Sequence, residues 1–199
     1  MEEGKEDDSM IIEGRAVVFD DPEVMYEWEG VQYKEKIDPH AFDDCDMSDV
    51  ILNVNHEGQA LARTRNNTLE LDITEKTLDI RSDLSKSRAS RDAYEAVQNG
   101  LLDKMSFSFI VAPDGDDYDE ITHTRTVRKI KRLFDVSLVN FPAYNATAVS
   151  ARDYFAGKAE AERLAAEVAE KEAEASRKRA EQRASLSERL TKLEGGVAK

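Results

Sequence analysis

Short runs of alternating apolar and polar residues, separated by turn-forming residues, fill the chain up to about residue 140. Alternation with period 2 predicts β-strands, because successive side chains of a strand point to opposite faces of a sheet. One capped helix is predicted among them, beginning at Ser90 as N-cap and ending at Asn99 and Gly100. The predicted strands are residues 12–19, 24–37 with a turn at 29–30, 50–56, 60–64, 68–74, 77–84, 102–111, 121–130 and 133–140.

Many short strands with few helices are typical of an α+β, mainly β fold. The pattern favours a small closed or strongly curved antiparallel β-barrel with peripheral helices. After residue 153 the composition changes to Ala, Glu, Lys and Arg without proline, which predicts a long C-terminal helix. The sequence therefore predicts a disordered segment at residues 1–10, a folded domain at 11–153 and a charged helical tail at 154–199.

The tail carries two short apolar seams joined by a stripe of alanine. One seam is Leu164 with Val168, and the other is formed by Leu186, Leu190 and Leu193. Alanine buries little surface, so the seams predict a weak coiled coil or an exposed helix. Whether the helix has a partner stays open at this point.

The charge balance limits the classes of partner. The 199 residues carry a net charge of -14, which argues against nucleic acid or an anionic membrane as the main partner and favours proteins. No run approaches the roughly 20 apolar residues of a membrane span, and the charged first residues are unlike a signal peptide, so an intracellular protein is expected. The single cysteine, Cys45, excludes an internal disulfide and a Cys-rich zinc site. No cofactor or metal is predicted.

A hydroxyl set into an aromatic run is the first candidate for chemistry. In residues 102–111, period 2 places Phe107 and Phe109 on one face and Ser106 and Ser108 on the other, which predicts buried rings and presented serines. A nucleophilic serine needs a base within hydrogen-bond reach, usually a histidine. The chain has three histidines. His56, at the end of a predicted strand, is either that base or a core histidine bonded to a backbone carbonyl.

Three further features of the sequence bear on its chemistry. The acidic run at residues 113–120 lacks the ligand order of an EF-hand loop, so a solvated hairpin loop is predicted there. A thiol enzyme built on Cys45 and His56 is disfavoured, because the acids around Cys45 oppose a thiolate. Asp135, on one face of its strand with Ser137 and Val139, lies either at a sheet edge or beside a partner.

Four stretches, in this order along the chain, resemble a known family: residues 14–19 (GRAVVF), 55–56 (NH) followed by 61–64 (LART), 105–109 (MSFSF) and 135–144 (DVSLVNFPAY). With a capped helix ending just before the serine, the chain resembles the caudovirus prohead serine proteases. These are capsid maturation proteases of tailed phages, distantly similar to herpesvirus assemblin. The resemblance covers about residues 13–149.

The resemblance implies roles for individual residues. Ser106 is expected to be the nucleophile and His56 the general base. The family's acidic residue ahead of Val-Ser-Leu-Val falls on Asp135, which is expected to be the third catalytic member. Herpesvirus proteases use a second histidine instead, so His123 remains the alternative.

The chain departs from the family pattern at two positions. Ser108 stands where glycine is usual, and His40 stands where a small residue is usual before Ala-Phe. The donors of the oxyanion hole are not identified by the sequence. An arginine-bearing segment contributes in herpesvirus proteases, so Arg128 and Arg132 are candidates by resemblance.

The resemblance also implies a setting and partners. It predicts a serine endopeptidase, located in assembling phage proheads in the host bacterial cytoplasm, that processes scaffold and major capsid protein and then cleaves itself. The tail is expected to dock on scaffold helices, and a homodimer or higher oligomer is left open. The alternative is an inactive barrel that serves as a scaffolding or binding module through its tail.

Overall fold

Strands make up most of the folded part of this computed structural model, which describes residues 10–141 and 148–194. The strands are β1 (Ile11–Val18), β2 (Glu23–Trp28), β3 (Val31–Ile37), β4 (Ile51–Val54), β5 (Glu57–Arg63), β6 (Leu69–Ile73), β7 (Thr77–Asp83), β8 (Lys104–Val111), β9 (Asp116–Asp119), β10 (Thr124–Val127) and β11 (Ile130–Val139). The helices are α1 (Arg88–Gln98), α2 (Ala148–Glu194) and a 3-10 turn, Thr64–Asn66. The mainly β class and the long C-terminal helix are confirmed.

The predicted antiparallel barrel is not supported. The described strands form three sheets, β1-β7-β6, β2-β3-β10-β9 and β5-β4-β11-β8, and none of the three is closed. A barrel requires every strand to have two bonded neighbours, but the outer strand on each side of each sheet has one. Two of the three sheets are also mixed, because β10 pairs in parallel with β3, and β11 pairs in parallel with β4, whereas β1-β7-β6 is antiparallel throughout.

The N-cap of α1 lies three residues earlier than the predicted cap, Ser90. Ser87 is the N-cap, and its side chain accepts a hydrogen bond from the main-chain N–H of Ser90. The Ser90 hydroxyl is buried and donates instead to the Leu61 carbonyl at 2.6 Å. Gly100 follows the helix with a φ of +68°, as the predicted left-handed end requires.

The acidic run predicted as a loop contains the strand β9, which pairs with β10. The Glu29–Gly30 turn between β2 and β3 is present, and both residues have positive φ. Residues 1–9 of the segment predicted to be disordered lie outside the described residues.

The chain divides into two compact units, one ending at Phe155 and the other beginning at Ala156. In the first unit Phe155 is fully buried and packs on the Tyr33 ring, with ring centroids 6.0 Å apart. In the second, the Leu164 and Val168 side chains of α2 are exposed, while the seam predicted at residues 186–193 lies outside the side chains described. No helix in the described part of the chain is long and apolar enough to cross a membrane.

The third sheet aligns polar residues from three strands. Ser106 of β8 lies opposite Ser137 of β11, and Ser137 lies opposite Asn53 of β4. Directly paired residues of adjacent strands point to the same face of a sheet. The three side chains therefore form one buried polar row across the sheet, within an otherwise apolar core.

Candidate active site

The turn between β4 and β5 positions His56. The alternation predicts a strand through His56, but β4 ends at Val54, and Asn55 and His56 form the two-residue turn with φ of +52° and +60°. Turns of this kind favour residues that tolerate positive φ, of which Asn is a common one. The Asn55 main chain and side chain bond to Leu138 and Asn140 of the neighbouring chain segment. The turn is thereby fixed against the end of β11.

His56 is paired with Asp135. The imidazole Nδ1 lies 2.7 Å from Asp135 Oδ1, and the two side chains are 11% and 10% exposed. A carboxylate that accepts the Nδ1 proton fixes the neutral tautomer with its lone pair on Nε2. The arrangement leaves Nε2 available as a base.

Ser137 contacts both His56 and Asp135. Its hydroxyl lies 2.8 Å from Asp135 Oδ1 and 3.2 Å from His56 Nδ1, and it accepts a hydrogen bond from the His56 main-chain N–H at 3.1 Å. The Asn53 amide also contacts the hydroxyl. Sequence reasoning placed Ser137 on the face of Asp135 but assigned it no role, and it overlooked Asn53.

Ser106 completes the group from β8. Its side chain is 2% exposed, and its Oγ has no hydrogen-bond partner. His56 Nε2 is likewise buried and unpartnered, and no other buried side-chain nitrogen or oxygen in the described part of the chain is in this state. The two atoms that a serine peptidase pairs for proton transfer are thus the two left unsatisfied.

The prediction that β8 presents its serines is wrong for Ser106, and the prediction that it buries its aromatic rings is met only in part. Ser106 is buried, whereas Phe107 and Phe109 are half-buried and stack on each other with ring centroids 5.0 Å apart. Alternation defines two faces but does not say which one meets the core. Here the polar face meets the Ser137 row, which explains how a hydroxyl can lie inside the protein.

A cavity of about 200 Å³ reaches Ser106. Its walls include Phe107, Phe109 and Met25, with Glu23 and Glu35 among the polar side chains. Part of β1, including the arginine of the GRAVVF stretch, also lines it. That stretch was recognised in the sequence by resemblance, but its position beside the serine could not be inferred from spacing.

The other two histidines, His123 and His40, lie away from the Asp135 carboxylate. His123 occupies the turn before β10, with its ring 5.1 Å from the Tyr33 ring and its Nδ1 3.3 Å from the Tyr118 hydroxyl. His40 is exposed and lies 3.2 Å from Asp43. Asp135, and not His123, is the residue brought to His56 Nδ1.

Arg128 and Arg132, considered for the oxyanion hole, are engaged on the surface. Arg128 pairs with Asp117, and Arg132 lies 3.7 Å from Asp46, with both guanidinium-bearing side chains exposed. The oxyanion donors therefore stay unassigned.

The remaining nucleophile candidates are Cys45 and Ser108. Burial raises the pKa of the Cys45 thiol, and the negative charge of Asp46 adds to this, which disfavours a thiolate at neutral pH. Ser108 is half-buried and lies opposite Asp135 in the β8–β11 ladder. Within the described residues, no group of three or more His, Cys, Asp or Glu side chains could hold a metal ion.

The chain matches the model of a protein family. No curated protein and no solved structure shows a significant match to it. A model of the caudovirus prohead serine protease family matches residues 1–160. Since the match covers most of the 199 residues, the chain belongs to the caudovirus prohead serine protease family, whose members are serine peptidases.

Proposed function

We propose that this protein is a serine endopeptidase that cuts scaffold and major capsid protein inside the assembling phage prohead, in the host bacterial cytoplasm, and that it also cuts itself. Membership of the family supports the general reaction. The proposal rests on the hydrogen bonding of the His56 imidazole and the Ser106 hydroxyl. His56 Nδ1 is bonded to Asp135, while His56 Nε2 and Ser106 Oγ are both buried without a partner.

The proposed reaction uses these three side chains in sequence. Ser106 Oγ attacks the peptide carbonyl carbon, and its proton passes to His56 Nε2 as the tetrahedral intermediate forms. Asp135 holds the Nδ1 proton and stabilises the imidazolium. The Nε2 proton then passes to the amide nitrogen as the C–N bond breaks, which leaves an acyl-enzyme. A water molecule attacks the ester, its proton is taken by Nε2, and that proton is returned to Ser106 Oγ as the acid is released.

The proton transfer requires a rearrangement that brings Ser106 Oγ and His56 Nε2 into hydrogen-bond contact. Ser106 Oγ and His56 Nε2 are inaccessible to solvent and do not yet bond each other. Catalytic hydrogen bonds often tighten only when substrate binds. Both residues are linked to Ser137, which pairs with Ser106 in the β8–β11 ladder and whose hydroxyl lies 3.2 Å from His56 Nδ1. Rotation of the serine hydroxyl toward the imidazole is the motion we expect on substrate binding.

The cavity beside Ser106 is the proposed site for a substrate side chain next to the scissile bond. Stacked Phe107 and Phe109, together with Met25, give it an apolar wall. A side chain with apolar surface would gain about 25 cal/mol for each Å² it buries there. The exposed part of α2 is the proposed contact with scaffold helices, and self-association is compatible with the same surface.

A fluorophosphonate probe tests the reaction without knowledge of the substrate. The full-length protein should be labelled at one serine, and tandem mass spectrometry should map the label to Ser106. Ser106→Ala should abolish labelling, whereas Ser90→Ala, which removes a buried hydroxyl on α1, should retain it. Equal labelling of the wild type and Ser106→Ala would rule out Ser106 as the nucleophile.

Self-cleavage is tested by intact mass. After expression, the wild type should yield a shortened product, and Ser106→Ala should remain at full length. Identical masses would remove self-processing from the proposal. Absence of both labelling and processing would instead favour the binding-module alternative, in which α2 carries the function.

A further inference from the structure

We propose that Ser137 is a positioning residue that sets the orientation of the catalytic imidazole, a role that rests on the proposed function. Ser137 is fully buried and central in the group. Its hydroxyl bonds the carboxylate of Asp135 and also the main chain of His56. It is therefore connected to the base through two independent routes, one through the acid and one through the turn.

The hydrogen bond between Ser137 and the His56 main chain stabilises an unfavourable backbone conformation. His56 has a φ of +60°, which residues other than glycine adopt at some energetic cost. The hydrogen bond from His56 N–H to Ser137 Oγ holds the turn in this conformation. Without it, the turn could relax, and the imidazole would lose its alignment with Asp135.

The hydroxyl has one proton and two lone pairs, which restricts how its neighbours are arranged. The His56 N–H takes one lone pair. Asp135 Oδ1 and Asn53 Oδ1 are both placed to accept the single hydroxyl proton. Asp135 Oδ1 also accepts from His56 Nδ1, so Ser137 and His56 share one carboxylate oxygen.

The prediction concerns Ser137→Ala, with Ser90→Ala as the matched control. Ser90 is equally buried, and its hydroxyl bonds only groups outside the site, at Leu61 and Ser87. A hydrogen bond to a charged group contributes enough to change a rate by roughly 10- to 100-fold. Ser137→Ala should slow fluorophosphonate labelling of Ser106 by that factor. Ser90→Ala should stay within about 2-fold, whatever its effect on thermal stability.

A second readout does not depend on activity. In ¹⁵N-histidine-labelled protein, the Nδ1 proton of His56 should give a low-field resonance, assigned by its loss in His56→Gln. Ser137→Ala should shift this resonance upfield or broaden it through exchange with water, and Ser90→Ala should leave it unchanged. Ser137→Thr retains a hydroxyl and should restore both the resonance and most of the labelling rate.

Two results would overturn the role of Ser137. One is an unchanged resonance and labelling rate in Ser137→Ala; the other is an equal slowing by Ser90→Ala. If the wild-type protein were not labelled at all, the proposed peptidase function would fail. The resonance comparison would still decide whether Ser137 orients His56, so the two failures are distinguishable.

Discussion

His56 Nδ1 lies 2.7 Å from Asp135 Oδ1, although 79 residues separate them in the chain. Two local features produce this contact. The parallel pairing of β4 with β11 places Asp135 opposite Ile51, near the start of β4. The turn after β4 then directs the His56 side chain back over β11, where it meets the carboxylate.

Replacement of Asp135 should therefore be far more damaging than replacement of His123. In Asp135→Asn the amide no longer provides a charged acceptor for the Nδ1 proton, and turnover should fall by roughly 10⁴-fold. His123→Ala removes contacts with Tyr33 and Tyr118, and should change turnover by no more than about 3-fold. Cleavage of scaffold protein, followed by gel densitometry at neutral pH, measures both.

The folded state of each variant needs a separate check, because His123 packs against aromatic rings of the second sheet. Thermal unfolding followed by circular dichroism supplies it. A loss of turnover in His123→Ala that matched Asp135→Asn, in protein still folded at the assay temperature, would reassign the third catalytic member.

The two serines of β8 should also differ sharply. Ser106 is buried beside the Ser137 row, whereas Ser108 is half-buried opposite Asp135. Ser106→Ala should lower turnover by about 10⁶-fold, the usual cost of losing the nucleophile. Ser108→Ala should keep turnover within about 10-fold, because it can affect only the surroundings of Asp135. Near-normal turnover in Ser106→Ala with loss in Ser108→Ala would reverse the assignment.

Much of the third sheet could be predicted from sequence, but its pairing could not. Alternation located β8 and β11, because both are long enough to show a period of 2. The parallel pairing of β11 with β4 joins segments distant in the chain. Periodicity specifies which residues share a face of a strand, and it carries no information about which strand lies alongside.

The sequence pointed to the proposed catalytic residues but not to the residues that contact and support them. Ser106, His56 and Asp135 stand in short stretches with recognisable neighbours, so resemblance alone could point to them. Ser137 and Asn53 are ordinary strand residues whose significance comes from their register. The burial of Ser106 was also missed, because strand faces are defined only relative to the sheet beneath them.

A side chain at the glycine of the GRAVVF stretch should displace the Met105 side chain. A Cβ at Gly14 would lie 2.5 Å from the Met105 sulfur, closer than van der Waals contact allows. Because the Met105 side chain is flexible and can shift, Gly14→Ala should lower the free energy of unfolding by only about 1 kcal/mol, measured by urea titration. Gly157, in α2, has nothing within 4 Å of a built Cβ, so Gly157→Ala should be neutral or slightly stabilising.

A double variant tests whether the effect of Gly14→Ala comes from the contact with Met105 or from a general change in β1. In Gly14→Ala with Met105→Ala, the methyl group has room, and the combined destabilisation should be smaller than the sum of the two single effects. Strict additivity would show that Met105 is not the residue that excludes a side chain at position 14.

A buried ion cluster beside the cavity should give the stability a defined pH dependence. Arg125 bonds Glu35 at 2.9 Å and Asp116 at 2.6 Å, and all three side chains are largely buried. Burial raises the pKa of Glu35 above its ordinary value of 4.5, with the attraction of Arg125 opposing the rise and the charges of Asp116 and Glu23 adding to it. The folded protein therefore holds the Glu35 proton more tightly than the unfolded chain does.

An acid whose pKa is raised by folding contributes stability that is present below its unfolded pKa and lost as the pH rises through its folded pKa. Glu35→Gln removes this titration, because the amide stays neutral. The free energy of unfolding of the wild type, minus that of Glu35→Gln, should therefore decrease as the pH rises above about 4.5. Urea titrations at several pH values between about 4 and 7 measure the difference. A constant difference would mean that Arg125 fully offsets the effect of burial.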